Sequence, residues 1–387
     1  MKLENVFDKS CVIRYFYISV MLLLVFSCTK IKENKPSYLA HEVLTDSIVI
    51  DEGYFAKFHM NFSLIDMKFF NDTTYLWAIA KKNDSYYLAK YSLGDEIKEL
   101  AEYCFSQEMQ SVFDKENCEK LLVINLDSLM ISTDLGFYFY SISSDTIYNE
   151  VKWEDYYYFS TLHTSYYYDE SKNKIYGNFS DTRADYIEDV KAKKKIIRFA
   201  QYDLSSGEIE KITVSIADIK PLFNANLRHD FVYANELLIS KASFQSEFQI
   251  YNTIDKTYTI LEKPCLKKMI DDSDFQDEKT HSYQNFKNNY MESYIQQGMC
   301  YDYKTERMAL IFLNPVPERD ENGLKPEFNF RSKSFFIFDK ECNTLGLIET
   351  KPDGFLPSFS FFINGSIYLI SVYNNEISLY TVKYELE

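Results

Sequence analysis

Residues Arg198–Ile212 read RFAQYDLSSGEIEKI, and this stretch decides the fold. Its first part is a β-like run that ends in an aromatic residue, Tyr202. Turn-forming residues follow at Asp203–Gly207, and a second run of the same kind begins after them. Alternating side chains suit the pleat of a strand, and Asp, Ser and Gly tolerate the backbone of a tight turn. The stretch therefore predicts a β-hairpin.

The same unit recurs along the chain. Equivalent hairpins surround the aromatic residues Tyr91, Tyr140, Tyr251 and Phe338, and a sixth copy around Tyr380 lacks the turn. A second hairpin precedes each copy, and the turns of these hairpins centre near Asn71, Asp127, Asp169, Asn235, Asp302 and Asn364. Two hairpins make a four-stranded unit, and six units of roughly 50 residues are typical of blades arranged in a ring. We therefore predict an all-β fold, a six-bladed β-propeller of four-stranded blades.

The last blade needs a strand from elsewhere in the chain. The sixth unit ends after its third strand, Ile377–Lys383, which leaves one edge open. Ser47–Asp51 (SIVID) stands before the first hairpin, and we expect this N-terminal strand to complete the last blade and close the ring. A β-sandwich with a helical insert is the competing architecture, but a sandwich does not require six similar double hairpins.

The N-terminus carries a short apolar run, Tyr15–Cys28, which three basic residues precede. A membrane-spanning helix needs roughly 20 apolar residues, so the run fits the apolar region of a signal peptide better than a span. A short uncleaved anchor is the alternative interpretation. The end of the run, Val25–Cys28 (VFSC), resembles a bacterial lipobox, although Phe26 replaces the usual small residue. The resemblance implies cleavage before Cys28 and attachment of lipid to that cysteine.

These features divide the chain into three parts. Residues 1–27 are expected to form a lipoprotein signal peptide, residues 28–40 a lipidated N-terminus and tether, and residues 41–387 the propeller domain. A lipobox-like leader followed by units of strand, Tyr or Phe, Asp or Asn, turn and strand resembles bacterial lipoproteins that carry TolB-like or NHL-like six-bladed propellers. The resemblance implies a place in the bacterial cell envelope. Thr29, in place of aspartate after the cysteine, implies transfer to the outer membrane.

Composition excludes some partners. The formal net charge of −16 argues against nucleic acid, because phosphate binding depends on Lys and Arg. Apart from Cys11 in the leader and the lipobox cysteine, the chain has Cys104, Cys118, Cys265, Cys300 and Cys342. Their spacing fits neither a disulfide framework nor a metal site, so we expect mostly buried free thiols, with a Cys104–Cys118 disulfide as the conceivable exception. No cofactor and no bound metal is expected.

Three long insertions indicate where a function lies. Asn178–Lys195, Glu262–Gln297 and Asn314–Lys333 all leave the predicted ring on one face, around blades three to five. Long segments on a rigid scaffold are usually functional or disordered. Charged and aromatic residues in two of these insertions are candidates for binding a polar or anionic ligand, namely Asp181, Arg183, Tyr186, Arg319 and Arg331.

The hairpin that precedes each aromatic copy is the first hairpin of its unit. Aligning these first hairpins by their turns yields a second set of candidate residues. The alignment places His163, His229 and Gln296 at the start of innermost strands, at the mouth of the central channel. A neutral imidazole at physiological pH can accept a proton or bind a metal. Histidines that only form hydrogen bonds at the channel rim are the alternative.

The sequence favours a lipid-anchored binding module outside the cytoplasm, whose partner is an envelope protein or a glycan. The alternative is a hydrolase or lyase at the channel mouth, where His163 and His229 with loop carboxylates would hold a metal. The chain has no GxSxG, HExxH, Walker A or GxGxxG motif, so the enzyme hypothesis depends on these two histidines.

Overall fold

The first hairpins form because their turn residues accept a left-handed backbone. Two consecutive residues have positive φ at Asn71–Asp72, at Asn235–Glu236 and at Asn364–Gly365. This pair of angles belongs to the two-residue turn whose twist matches the twist of the flanking strands. Asn, Asp and Gly tolerate the conformation better than other residues. Local turn chemistry therefore sets the register of these hairpins.

The computed structural model describes residues 36–49, 64–94, 96–152, 167–178, 195–216, 229–243, 245–271, 291–319, 323, 327, 330–373 and 376–386. Ser37–Glu387 belong to one compact unit.

Within those residues, 24 strands form six antiparallel sheets of four strands each. Blade 1 contains β2 (Ile65–Phe70), β3 (Thr73–Lys82), β4 (Ser85–Leu93) and β5 (Ile97–Cys104). Blade 2 contains β6 (Cys118–Val123), β7 (Ser128–Thr133), β8 (Gly136–Ser141) and β9 (Thr146–Lys152). Blade 3 contains β10 (Tyr167–Asp169), β11 (Lys174–Asn178), β12 (Lys195–Asp203) and β13 (Ile209–Ile216).

Blade 4 contains β14 (His229–Ala234), β15 (Leu237–Ala242), β16 (Glu247–Asn252) and β17 (Tyr258–Glu262). Blade 5 contains β18 (Ile295–Asp302), β19 (Arg307–Leu313), β20 (Lys333–Asp339) and β21 (Thr344–Glu349). Blade 6 contains β22 (Phe359–Ile363), β23 (Ser366–Tyr373), β24 (Glu376–Tyr384) and, as its outermost strand, β1 (His41–Val49). The predicted six-bladed β-propeller is confirmed.

The N-terminal strand closes the last blade, as the sequence predicts. β1 pairs antiparallel with β24, from His41 opposite Tyr384 to Val49 opposite Glu376. The strand begins six residues before the predicted Ser47 and ends at Val49, and the last predicted residues, 50 and 51, lie outside the described residues. It is longer than the apolar stretch suggests because β24 offers a nine-residue edge, and main-chain pairing does not require apolar side chains.

The segment before β1 covers a second edge. Leu39 donates its N–H to the carbonyl of Leu347, and Leu347 donates its N–H to the carbonyl of Ser37. Tyr38 thereby forms a parallel bridge with β21, the outermost strand of blade 5. The N-terminal segment thus pairs first with blade 5 and then with blade 6.

The repeated aromatic residues pack the blades. They occupy the third strand of each blade, at Tyr91, Tyr140, Tyr202, Tyr251, Phe338 and Tyr380. All but Tyr251 are buried, with exposed fractions of 9% or less. Neighbouring innermost strands also touch, since β2 lies beside β6 and β22, and β18 lies beside β14 and β22.

Among the described residues, two helices lie between blades. Helix α1 (Gln107–Lys115) joins blades 1 and 2, and the Ser106 hydroxyl caps its N-terminus by accepting the N–H of Met109. Helix α2 (Pro264–Asp271) follows blade 4. No helix among the described residues is long and apolar enough to cross a membrane.

The cysteines behave as the sequence predicts. All five cysteines outside the leader and lipobox are thiols, so Cys104 and Cys118 form no disulfide. Cys118, Cys300 and Cys342 are buried, whereas Cys104 is exposed.

Candidate functional site

The central channel has two distinct ends. The innermost strands β2, β6, β10, β14, β18 and β22 surround it. We call the end at which these strands begin the loop face, and the end at which they finish, beside their hairpin turns, the turn face. The sequence directs attention to the loop face, whereas the cavity described next lies at the turn face.

A cavity of about 170 Å³ opens at the turn face of the channel. Its walls come from blades 1, 2, 3 and 5, and the lining residues are Lys68, Phe70, Leu122, Val123, Ile124, Tyr167, Tyr168, Glu170 and Tyr303. Because four blades contribute, the cavity exists only when the ring is closed.

Aromatic rings form much of the cavity wall. Tyr303 follows the end of β18 and is 55% exposed, and its hydroxyl donates to the carbonyl of Tyr233 at 2.7 Å. Tyr167 packs edge-on against Phe231, with ring centroids 5.5 Å apart. The hydroxyl of Tyr168 donates to the side chain of Asn173 at 3.1 Å. The protein already occupies the hydroxyls of Tyr303 and Tyr168, so a ligand meets mainly ring faces.

One cation lies on the cavity wall. The Lys68 ammonium is 3.6 Å from the carboxylate of Asp66, which is buried two residues earlier on β2. Asp66 also accepts the N–H of Met67 at 2.9 Å and the N–H of Val123, in blade 2, at 2.7 Å. Burial lowers the pKa of Lys120 to about 8, while the Asp66 carboxylate raises that pKa and the Lys68 ammonium lowers it. Lys68 and Lys120 therefore lie near the same carboxylate.

Two other lysines at the turn face contact groups of the protein. The Lys172 ammonium lies 2.8 Å from Glu236 and 3.7 Å from Asp169. Asp169 also accepts a hydrogen bond from the Tyr233 hydroxyl at 3.1 Å. The Lys304 ammonium lies 4.2 Å from the ring centroid of Phe69. Lys68 is thus the lysine that the cavity presents to a ligand.

The loop face carries a buried polar network. Lys241, at the end of β15, donates to the Gln296 side-chain oxygen and to the carbonyl of Ala242, both at 2.9 Å. The Gln296 amide donates to Asp230 at 2.7 Å. All three side chains are buried, and they join blade 4 to blade 5. Burial lowers the pKa of Lys241 to about 7, against the opposing effect of the Asp230 and Glu247 carboxylates.

The predicted channel-mouth residues meet different outcomes. Gln296 lies at the loop face, but it is 1% exposed and bonded on both sides, so it is not available at an open mouth. The turn alignment gives it the same position in its blade as His229, and in the structure its amide bonds to Asp230, the residue after His229. A β-bulge between Gln296 and Gly298 adds one residue to β18 and shifts the register by one. His229 begins β14 opposite Ala242.

Several predictions fall outside the described residues. These are His163, Asp181, Arg183, Tyr186 and the lipobox cysteine Cys28. The proposed role of His163 and His229 in catalysis stays a prediction. Within the ranges that the structure describes, no group of three or more His, Cys, Asp or Glu could hold a metal ion.

The two loop arginines differ from each other. Arg319 is exposed and donates to the carbonyl of Gly323 at 2.7 Å. Arg331 is fully buried, which corrects its assignment as a ligand-binding loop residue. Its guanidinium donates to the carbonyls of Ser293 and Asn314 at 3.2 and 3.1 Å. Arginine suits this task because its fork of donors can satisfy several buried carbonyls at once.

Sequence analysis missed Lys68, Tyr167 and Tyr303. The repeat does locate them, since each lies within three residues of the turn of a first hairpin. The long insertions, however, indicate the loop face instead. Their convergence from separate blades on one cavity is a property of the closed ring.

Comparisons with known proteins show a shared fold only. No protein-family model matches it, and no curated protein matches it either. Among solved structures it is similar to a DUF4221-family member from Bacteroides vulgatus, at 10% identity and TM-score 0.59, over 91% of this chain and 99% of that one.

Two more distant structural neighbours share less of the fold. One is a Bacteroides fragilis protein whose name describes it as exported. It aligns at 9% identity and TM-score 0.44, over 89% of this chain and 95% of that one. Hsv2 of Kluyveromyces lactis aligns at 7% identity and TM-score 0.41, over 80% of this chain and 71% of that one. At these identities the similarity shows the fold alone.

Proposed function

We propose that this chain is a lipid-anchored binding protein of the bacterial envelope, and that its turn-face cavity holds a single sugar ring. One observation carries the proposal: three blades of the closed ring bring Phe70, Tyr167, Tyr168 and Tyr303 together around one small cavity. Aromatic faces stack on the C–H faces of sugars, and a few polar groups at the edge fix orientation. Lys68 and Glu170 are such groups here.

The size and chemistry of the cavity support binding of a small unit. Its volume of about 170 Å³ is below the roughly 300–1,000 Å³ of typical drug-sized pockets. A terminal residue of a glycan, or a free monosaccharide, fits this space better than an extended chain.

Replacing Tyr303 with alanine is expected to weaken sugar binding about tenfold, close to 1.4 kcal/mol, because the ligand loses the most exposed ring of the cavity. A glycan array identifies a ligand, and isothermal titration then measures the dissociation constant. Tyr303→Phe keeps the ring and should bind like the unaltered protein. Tyr258→Ala, which removes a tyrosine 42% exposed on β17, is the matched control. Equal binding by Tyr303→Ala and Tyr258→Ala would contradict the proposal.

The anchor is tested separately. In a bacterial host fed an alkyne-labelled fatty acid, we expect the label on the unaltered protein and none on Cys28→Ser, because the thiol is the attachment atom. Mass spectrometry of the mature N-terminus should show cleavage before Cys28. A mature protein that begins elsewhere, or that carries no fatty acid, would remove the anchor from the proposal and leave the cavity unaffected.

A further inference from the structure

The N-terminal segment reaches the propeller at the turn face. Ser37 contacts the beginning of β21, where its hydroxyl donates to the carbonyl of Leu345 at 3.5 Å. Two residues later, the N–H of Leu39 donates to the carbonyl of Leu347, further along the same strand. β21 begins after the turn that follows β20, and this turn lies at the turn face because neighbouring strands of the blade are antiparallel. The chain therefore joins the ring at its turn-face end.

The number of residues between the predicted lipidation site and the ring limits their separation. Eight residues, 29–36, lie between Cys28 and Ser37. A chain spans at most about 3.3–3.6 Å per residue, so Ser37 stays within roughly 32 Å of a lipid on Cys28. The channel is about 26 Å long, because its innermost strand β18 has eight residues at about 3.3 Å each. The turn face can therefore touch the membrane, whereas the loop face can do so only with these residues almost fully extended.

The composition of residues 29–36 also favours a short separation. They include Lys30, Lys32 and Lys35 but only one acidic residue, Glu33. Anionic lipid headgroups attract each lysine near a membrane surface by about 1 kcal/mol. Three lysines draw these residues toward an anionic surface, which opposes the extension that contact with the loop face requires.

We propose that the turn face lies against the membrane that holds the anchor, and that the sugar bound in the turn-face cavity belongs to a glycolipid of that membrane. This inference rests on the proposed function, both for the lipid on Cys28 and for the sugar in the cavity. The cavity opens at the turn face, where Phe70 and Tyr303 line it. A sugar headgroup that projects from the bilayer meets this opening directly, whereas a free glycan has to enter the gap between the ring and the membrane.

The small size of the cavity fits a membrane-bound ligand. With about 170 Å³, the cavity encloses little more than one sugar ring, so few atoms contribute to the affinity. Two partners held in one membrane, however, meet at a high effective concentration, as linked partners do. A site that binds a free sugar weakly is therefore well occupied by the same sugar on a lipid.

Two leucines at opposite ends of one strand test the orientation. Leu126 precedes β7 at the turn face and Leu135 follows β7 at the loop face, and they are 38% and 45% exposed. Each is replaced with cysteine and labelled with a fluorophore, after Cys104→Ser and Cys265→Ser have removed the more accessible thiols. The lipidated protein is placed in vesicles of phosphatidylethanolamine and phosphatidylglycerol that contain an acceptor-labelled lipid. We expect several-fold greater energy transfer from Leu126→Cys than from Leu135→Cys.

Other orientations have different signatures in this measurement. Equal transfer from the two labels would mean that the ring stands on its rim, and greater transfer from Leu135→Cys would mean that the loop face lies against the membrane. Either result would overturn the inference. Thermal unfolding shows whether each labelled variant is folded, and Ser144→Cys, exposed at the turn face after β8, replaces Leu126→Cys if the latter is not.

Glycolipid in the vesicles then tests the source of the sugar. The probes are glucosyl-, galactosyl- and mannosyl-diacylglycerol, together with the best ligand from the glycan array coupled to the same lipid. At least one of them should raise energy transfer from Leu126→Cys, because a bound headgroup holds the turn face against the surface. The increase should be lost in Tyr303→Ala and retained in Tyr258→Ala. The corresponding free methyl glycoside should compete only at a much higher concentration.

The possible failures are distinguishable. Sugar binding that depends on Tyr303, without the expected orientation, would overturn this inference and leave the proposed function of the cavity standing. The expected orientation without a response to any glycolipid would overturn the glycolipid as the source of the sugar. Binding of no glycan, free or lipid-linked, would remove the proposed function of the cavity and this inference with it.

Discussion

Removing β1 will prevent the ring from closing, and the truncated protein will lose most of its free energy of unfolding. Nine residues, His41–Val49, pair with β24 along its whole length. Each hydrogen bond contributes roughly 0.5–1.5 kcal/mol net, so the lost ladder is comparable to the roughly 5–15 kcal/mol stability of a typical domain. The exposed edge of β24 would also invite aggregation. Chemical denaturation and size-exclusion chromatography measure both effects.

A deletion of residues 1–35 is the matched control, because the described contacts of the propeller begin at Ser37. That variant should unfold at the same denaturant concentration as the full chain. Comparable unfolding midpoints for the 1–35 and 1–49 deletions would show that blade 6 does not need β1.

Two proline variants sharpen the test without changing chain length. Glu385 donates its N–H to the carbonyl of the directly opposite Ala40, so even-numbered residues of β1 occupy hydrogen-bonded positions. Leu44→Pro removes a ladder hydrogen bond and should cost about 2 kcal/mol or more. At Thr45 the N–H points away from β24, so Thr45→Pro should cost less than about 1 kcal/mol. Equal losses for the two variants would contradict this register.

Replacing Lys241 with methionine will change how stability depends on pH. In the folded protein burial lowers the pKa of Lys241 to about 7 from its ordinary 10.5, a shift that corresponds to roughly 5 kcal/mol. Between these two values the unfolded chain binds a proton that the folded protein does not bind. The stability contributed at this site therefore rises with pH, by up to about 1.4 kcal/mol per pH unit, and this dependence disappears in the variant.

The measurement is the difference in free energy of unfolding between the unaltered protein and Lys241→Met. From pH 7 to pH 9 this difference should move by roughly 2–3 kcal/mol in favour of the unaltered protein. Using the difference cancels the titration of other groups. Lys98→Met, an exposed lysine, should show no such trend, and a flat difference for Lys241→Met would mean that its ammonium stays charged in the fold.

The loop-face network also determines which substitution is tolerated. Methionine fills the space of the lysine stem and removes the cost of burying a charge, so at pH 7 the variant need not be less stable. It does leave the Gln296 oxygen without its bond from Lys241. The pH dependence, rather than the stability at a single pH, is therefore the informative result.

Much of the fold was predictable because its signals are local. Asn71–Asp72 and Asn364–Gly365 adopt left-handed turns that these residue types favour, so the turns define their hairpins locally. The aromatic residue in each third strand is also a local signal, because the sequence alone shows where it recurs. Counting such hairpins is enough to obtain six blades.

The residues of the candidate site were harder to predict, because strand register and contacts with neighbouring blades decide which side chains meet there. A bulge at Gln296 shifts the register of β18 by one residue, and turn spacing does not reveal a bulge. The Gln296 amide bonds to Asp230, a contact that the alignment does not show. Arg331 has the composition of an exposed loop residue, yet it is buried against two carbonyls. Charge in a sequence does not tell whether a fold supplies partners for it.

By itself, the sequence determined the hairpins, their number and the need for a closing strand, because alternation and turn residues act over fewer than ten or so positions. Only the tertiary structure decided which side chains share the channel. Lys68 and Tyr303 are more than 200 positions apart in the chain, and they meet because ring closure brings the ends of β2 and β18 to one cavity. The physical reason is that a ring converts six local repeats into contacts between blades, which no single repeat encodes.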